Sequence, residues 1–477
     1  MRTHVEVLII GAGPTGLGAA WRLSHHGQSD WLLCEAEYVA GGLAGSIVDE
    51  HGFTWDYGGH VQFSHYTYFE QLMDELLGPD GWLFHQRESW VWLRNTFVPY
   101  PFQLNLHRLP PHERDVCVDG LKRVVQNQNV IQPTNFAEWI DQSFGKGIAQ
   151  IFLRPYNFKV WAYPPETMAS HWVGDRVALV DLERILNNIQ LGRDDVSWGP
   201  NNQFRFPHYG GTGVIWQTLA RRLERQHPGQ LHFGCRLIRL DTEQRIAFFA
   251  NDLEIHYRTL LSTIPLDTLV QLSDVAPALT PALVGLRYSS THLLGIGLYG
   301  CPPETLQGKC WLYFPENTCP FYRVTHFSHY SPQNVPDARR FWSLMAEVSE
   351  SPVKSVDAQA VIADTIQGLL NTRLILHREA IHHIWYHRLE HGYPTPSLHR
   401  DRALATLLPA LEAREIYSRG RFGAWKYEVS NQDHSFAQGV ECVDRWYTGT
   451  AEETLPRPEL VNARRPSLSR VRTNANT

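Results

Sequence analysis

Residues 5–10 form an apolar run interrupted only by Glu6, and the run breaks at once into Gly11-Ala12-Gly13-Pro14-Thr15-Gly16. A second apolar run, 31–34, ends on Glu35. This pattern predicts a strand, a glycine turn that opens a helix, and a second strand, which together make one βαβ unit. Residues 53–57 then alternate like a strand and stop at Gly58-Gly59-His60. From about 104 to 190 the spacing becomes helical, clearest at 120–126, 136–144 and 180–189. Strand patterns return at 231–240, 246–250, 253–257 and 260–265, the last closed by Pro265. Runs at 292–298, 310–314, 341–348 and 382–389 predict an antiparallel sheet. A final strand and helix, 416–425 and 438–448, are expected to rejoin the first unit. Beyond 455 the prolines, arginines, serines and asparagines predict no fixed structure.

Composition narrows the class. A chain of 477 residues that is 43% hydrophobic and 19% charged can build a large core. A net charge of −6 gives no reason to expect nucleic acid or an anionic membrane as partner. No apolar run is long enough to span a bilayer, and the first one is a short strand rather than a signal peptide. Cysteines stand singly at 34, 117, 235, 301, 310, 319 and 442, which predicts reduced thiols in a cytoplasmic protein and no metal site. Sixteen tryptophans and nineteen tyrosines, many beside Asn, Gln or Arg, suit a nucleotide or sugar pocket.

The glycines point to a dinucleotide. Gly11 makes the tight turn, Gly13 lets the backbone approach a pyrophosphate, and Gly16 lets helix and strand pack. The helix N-terminus favours the phosphates, and Glu35 is placed for a ribose hydroxyl. A second pair, Gly41-Gly42, follows within a few residues, and no second glycine fingerprint follows a later strand. That combination favours FAD over a separate nicotinamide domain. The expected fold class is α/β, with a discontinuous Rossmann-like FAD-binding domain (1–103, 196–275 and 410–455), an inserted helical domain (104–195) and an antiparallel β-sheet domain (276–409). Residues 456–477 form the tail.

Longer strings carry a resemblance. They are Gly58-Gly59-His60-Val61, Val98-Pro99-Tyr100-Pro101-Phe102-Gln103, Arg154-Pro155-Tyr156-Asn157-Phe158-Lys159-Val160-Trp161 and Phe204-Arg205-Phe206-Pro207. Further on stand Cys310-Trp311-Leu312-Tyr313-Phe314-Pro315-Glu316, His391-Gly392-Tyr393-Pro394-Thr395-Pro396, Ser418-Arg419-Gly420-Arg421-Phe422-Gly423 and Asn431-Gln432-Asp433-His434-Ser435-Phe436. Up to about residue 450 the chain resembles the eukaryotic-type UDP-galactopyranose mutases. The resemblance implies interconversion of UDP-galactopyranose and UDP-galactofuranose through a covalent N5-flavin–sugar iminium intermediate, with reduced FAD required and no net redox change. It implies that Arg176 and Arg323 bind the diphosphate, where negative charge develops as UDP leaves, with Tyr313, Tyr330, Tyr393 and Tyr427 donating to the same phosphates. His60 is implied to sit against flavin N5. Tyr100, Gln103, Phe152, Asn157 and Trp161 are implied to hold the uridine, which would make the helical insertion a substrate lid. Asn201 and Phe63 match the sugar pocket; Gly59, Arg421, Asn431 and Gln432 match contacts to the flavin and nearby phosphates.

Two departures qualify this. The chain passes quickly from Tyr330-Ser331-Pro332 to Phe341, where fungal members carry a longer insertion, which leaves the oligomeric state open. Glu88 stands between Arg87 and Ser89, the matches to nicotinamide-nucleotide contacts, which leaves NADPH and NADH both open as reductant. Three other readings remain: an FAD amine oxidase or desaturase, a mutase acting on a different UDP-sugar, and a flavin protein that senses UDP-sugars without turnover. Paired arginines among phosphate-facing tyrosines argue against the first.

Overall fold

The computed structural model describes residues 2–127, 132–179, 181–196 and 202–464. Among them, two seven-stranded sheets organise the molecule. The first runs Leu237–Asp241, Ile246–Phe249, Glu254–Ser262, Arg2–Ile10, Trp31–Cys34 and Leu231–His232, with Ile416–Ser418 alongside Glu254–Ser262. Its centre is parallel: Arg2–Ile10 pairs in parallel with both Glu254–Ser262 and Trp31–Cys34. The reason lies in the opening run. Val7 and Ile9 enter the core on one face, Leu8 and Ile10 the core on the other, so both faces of the strand are buried and an alternating pattern is lost. Helices Pro14–His25 and Gln432–Thr448 share the first core; helix Arg400–Glu412 covers the second.

The single strand expected at 231–240 is two strands at opposite edges of this sheet. Leu231–His232 pairs with Leu33 and Cys34, whereas Leu237–Asp241 pairs with Ile246–Phe249. Gly234, with φ +70°, turns the chain between them. The two runs expected at 253–257 and 260–265 are one strand, Glu254–Ser262, and the terminal strand is only Ile416–Ser418.

The second sheet runs Ile381–Thr395, Arg287–Tyr299, Phe341–Glu350, Arg323–His326, Trp311–Tyr313, Ser89–Leu93 and Thr96–Pro99. Every neighbour is antiparallel except Trp311–Tyr313 and Ser89–Leu93, which pair in parallel. Residues 89–99, expected in the first unit, therefore belong to this sheet. Helices Pro111–Gln126, Phe136–Ile148, Arg154–Trp161 and Leu182–Leu191 pack around Phe102, Ile140, Phe144 and Phe152. Asn135 caps the second of these by accepting from Glu138 N–H (2.9 Å), and Asp181 caps the last through Glu183 N–H (2.9 Å).

The tail departs from expectation. Residues 456–464 are part of the fold and include a helix, Pro458–Asn462, with Val461 fully buried; 465–477 lie outside the described residues. Among the described residues, no helix is long and apolar enough to cross a membrane.

Candidate active site

The nucleotide end is built by close backbone approach. Gly11 has φ +102°, and a Cβ there would lie 2.1 Å from Thr263 Oγ1; one on Gly16 would lie 1.9 Å from the Gly11 carbonyl oxygen. Gly13 differs. Its Cβ would meet only the Gly41 carbonyl oxygen at 3.8 Å and Gly42 Cα at 4.0 Å, so the two glycine turns face each other across a gap that any side chain would fill. Gly41 N–H donates to the Ala12 carbonyl (2.9 Å) and ties the turns together. Gly13 caps helix Pro14–His25 without a side chain over it, leaving the helix end to an anion. Glu35 closes this end, accepting from Ala12 N–H at 2.6 Å and Glu37 N–H at 2.9 Å while burial raises its carboxyl above the usual range. These features fit a flavin dinucleotide.

From here a cavity of about 430 Å³ opens. Pro14, Leu43 and Ala44 line it at the nucleotide end, so Gly11, Gly13, Gly16, Glu35, Gly41 and Gly42 stand beside its wall rather than on it. Gly59, His60, Phe63, Tyr100, Gln103, Phe152, Asn157, Trp161, Arg176, Tyr313, Arg323, Tyr393, Arg421, Tyr427, Asn431 and Gln432 all line this one space. Tyr330 does not. It is fully buried among Phe204, Phe206 and Phe327, with its hydroxyl unpartnered, because the short helix Phe327–Tyr330 directs its ring into the core. Asn201 lies outside the described residues.

The turn carrying His60 hangs on the second sheet. Gly59 N–H donates to Glu347 Oε1 at 3.3 Å, and a Cβ on Gly59 would lie 2.7 Å from Thr325 Oγ1. The His60 Nδ1 atom is buried without a partner. Burial, with the Arg421 and Arg323 cations nearby, pushes the imidazole down to about 4, so it is neutral at pH 7.

Arg323 gives Nε to Glu347 Oε1 (2.6 Å) and Nη2 to Oε2 (2.7 Å), while Tyr322 donates its hydroxyl to Oε2 (2.6 Å). Burial works against both charges, but each ion holds the other: Glu347 stays below and Arg323 above its ordinary range. Arg176 ends the short turn Gly174–Arg176 and donates from Nη2 to the Glu428 carbonyl. Its guanidinium lies 5.7 Å from the Tyr427 ring centre. Arg421 donates to Ser430 Oγ (2.9 Å) and to the Gly392 carbonyl (3.2 Å), and its guanidinium lies 4.9 Å from the centre of Tyr393.

The helical unit supplies an aromatic end. Phe152 stacks on Tyr156 with centres 5.4 Å apart and an interplanar angle of 16°. Tyr100 and Tyr156 both meet Tyr313, at 5.4 and 5.3 Å. Gln103 gives its amide to the Ala178 carbonyl (2.7 Å), and its Oε1 is buried without a partner, as a base-reading acceptor would be. Asn157 donates to Leu153 carbonyl (2.8 Å). Trp161 is 2% exposed and meets Trp172, Tyr427 and Tyr393 edge-on, so it is packing as much as surface.

Several wall residues escaped the sequence reading: Glu347, Tyr156, His65, Asp433 and Asn462. Asp433 accepts from His65 N–H at 2.9 Å and meets His65 Nδ1 at the same distance. Burial opposes its charge, yet His434 and His65 bring the Asp433 carboxyl down to about 2, while burial brings His434 to about 3. The available signal was an acid flanked by Leu344, Met345, Ala346 and Val348 for Glu347, and the Asp433-His434 pair in the last matched string.

Known proteins share this fold. The profile of flavin containing amine oxidoreductases matches residues 14–292. A crystal structure of reduced UDP-galactopyranose mutase is 49% identical, covers 97% of this chain and 98% of its own, and superposes with a TM-score of 0.92. A candidate protoporphyrinogen oxidase from Exiguobacterium sp. 255-15 (16% identity, 94% and 99% coverage, TM-score 0.69) shares the fold alone. So does a fatty acid isomerase from P. acnes (14% identity, 93% and 99% coverage, TM-score 0.62). With a glycine cradle that fits a flavin dinucleotide, Arg176 and Arg323 on one cavity wall and near-complete coverage at 49% identity, the chain belongs to the UDP-galactopyranose mutases, within the flavin containing amine oxidoreductase family.

Proposed function

We propose that this flavin-dependent mutase interconverts UDP-galactopyranose and UDP-galactofuranose with no net redox change. The observation that carries the proposal is the meeting of His60, Arg176, Arg323, Tyr313, Tyr393 and Tyr427 on the wall of a single cavity. Reduced FAD, when bound, supplies N5 as the nucleophile for the anomeric carbon, and the covalent route through an iminium is part of the proposal.

The chain's own residues do the rest. Gly11, Gly13, Gly16, Gly41 and Gly42 with Glu35 hold the dinucleotide, and Gly59, Arg421, Asn431 and Gln432 hold its flavin end. Arg323, fixed by Glu347, and Arg176 place positive charge where the diphosphate departs. Neutral His60 holds a hydrogen bond at the reacting face without adding charge. Tyr100, Gln103, Phe152 and Asn157 take the uridine, and Phe63 faces the sugar. Arg87 on the wall and Ser89 behind it receive the nicotinamide nucleotide, NADPH or NADH, that keeps the enzyme reduced. A cytoplasmic location, expected from the scattered single cysteines, belongs to the same proposal.

The test is anaerobic product analysis with UDP-galactofuranose. The dithionite-reduced protein should form UDP-galactopyranose and the oxidised protein should not. Equal turnover by both forms would refute the mechanism, and turnover of another UDP-sugar alone would reassign the substrate.

A further inference from the structure

After Thr448 the chain turns back across the flavin unit and is fastened at intervals. The Glu452 carboxylate receives Arg419 at 2.6 and 2.7 Å. Glu441 accepts from the Thr454 backbone N–H (2.8 Å) and hydroxyl (2.7 Å). Val461 is fully buried in the first core. These anchors deliver helix Pro458–Asn462 to the cavity, where Asn462 lines the wall beside Arg176.

The contact is specific. Asn462 Nδ2 donates to the Glu428 carbonyl at 2.9 Å, the same oxygen that receives Arg176 Nη2, and Asn462 Oδ1 accepts from Arg176 Nη2 at 3.4 Å. The same residue is held through its side chain, because the Glu428 carboxylate is gripped by Arg400 at 2.8 and 2.7 Å. Arg176 sits on a three-residue turn, Gly174–Arg176, a weak support for a side chain that must meet a diphosphate.

We propose that the C-terminal segment completes the diphosphate end of the active site, with Asn462 as a positioning residue that orients Arg176. The proposal rests on the assignment of Arg176 to the diphosphate. Asn462 takes one hydrogen bond from Nη2 and donates to the carbonyl that takes another, which lowers the entropy lost when the guanidinium engages phosphate oxygens.

UDP titration of the full-length holoenzyme, followed by flavin fluorescence, tests this in Asn462→Ala, Arg176→Ala and the double variant. Asn462→Ala should weaken UDP roughly three- to tenfold, the range of one hydrogen bond, with FAD content unchanged. The double variant should bind UDP no worse than Arg176→Ala, since Asn462 acts only through that arginine. In Asn462→Asp the new carboxylate competes with the diphosphate for Arg176, so UDP weakens further than in Asn462→Ala. Unchanged UDP affinity in Asn462→Ala, or additive losses in the double variant, would overturn the proposal. Loss of FAD or of cooperative folding in both Asn462 variants would assign the residue to the fold and overturn it too. Unchanged affinity in Arg176→Ala would instead remove Arg176 from the diphosphate site.

Discussion

Arg323 and Glu347 form a two-point ion pair, 2.6 and 2.7 Å, inside the sheet that faces the cofactor cradle. Removing either partner strands a buried charge, so Glu347→Ala and Arg323→Ala should each cost about 3–5 kcal/mol of folding stability. The double variant should lose less than the sum, because no ion is then left alone. The pH sign follows from the lowered Glu347 carboxyl: its contribution is complete above the ordinary value of 4.5 and fades as pH falls toward its lower folded value. Urea unfolding of the three variants at pH 7 and at acid pH is the measurement, and strict additivity would mean the pair is not coupled.

His60 should stay neutral well below neutral pH. Between its ordinary value of 6.5 and its folded value of about 4, the unfolded chain takes up the proton and the folded chain does not. Stability from this residue is therefore complete above pH 6.5 and declines as the pH drops through that interval. Proton NMR should show one imidazole titrating near pH 4 that vanishes in His60→Gln. A resonance at the ordinary value, lost in the same variant, would contradict the burial described here.

Gly13→Ala should separate cofactor binding from folding. Its methyl would meet protein atoms only at 3.8 and 4.0 Å, ordinary contact distances. The apoprotein should keep its stability within about 0.5 kcal/mol. The methyl nevertheless occupies the gap through which a pyrophosphate approaches, so FAD retention on gel filtration should collapse. Gly16→Ala, with its Cβ 1.9 Å from the Gly11 oxygen, should fail to fold.

Trp161 and Tyr100 should behave differently. Trp161 is 2% exposed and packed edge-on against three aromatic rings, so Trp161→Ala should cost about 3–5 kcal/mol in stability. Tyr100→Ala removes a ring at the aromatic end and should weaken UDP by about 1–3 kcal/mol. Saturated turnover should change little, since uridine contacts are equal before and during bond breaking. Calorimetric melting and UDP titration of both variants decide the matter, and equal UDP loss without destabilisation in Trp161→Ala would restore it as a base-stacking surface.

What the chain reveals by inspection follows the range of the interactions. The βαβ start is legible because its strand, turn and helix are contiguous, and the helical insertion because its spacing changes within a window. Glu347 is not, since it touches Gly59 across 288 residues. Nor is the grip of Asp433 on His65, 368 residues apart. Tyr330 misled for the opposite reason: a matched string names the neighbours in sequence, while the turn at Phe327–Tyr330 decides which way the ring points. The tail misled because its composition is polar while its anchor, Val461, is a single residue, delivered by the fastening of Glu452 and Thr454 just before it.

Helices Pro14–His25 and Gln432–Thr448 touch backbone to backbone. A Cβ on Gly18 would lie 2.6 Å from the Phe436 carbonyl oxygen, and one on Gly439 would lie 2.0 Å from that of Thr15. The helix that points at the cofactor phosphates is thus sealed by a partner the ribosome makes hundreds of residues later. Until that partner emerges, the nascent chain carries an open apolar face beside an unfinished cradle. The packing behind the cradle is therefore complete only once residues 432–448 have been made.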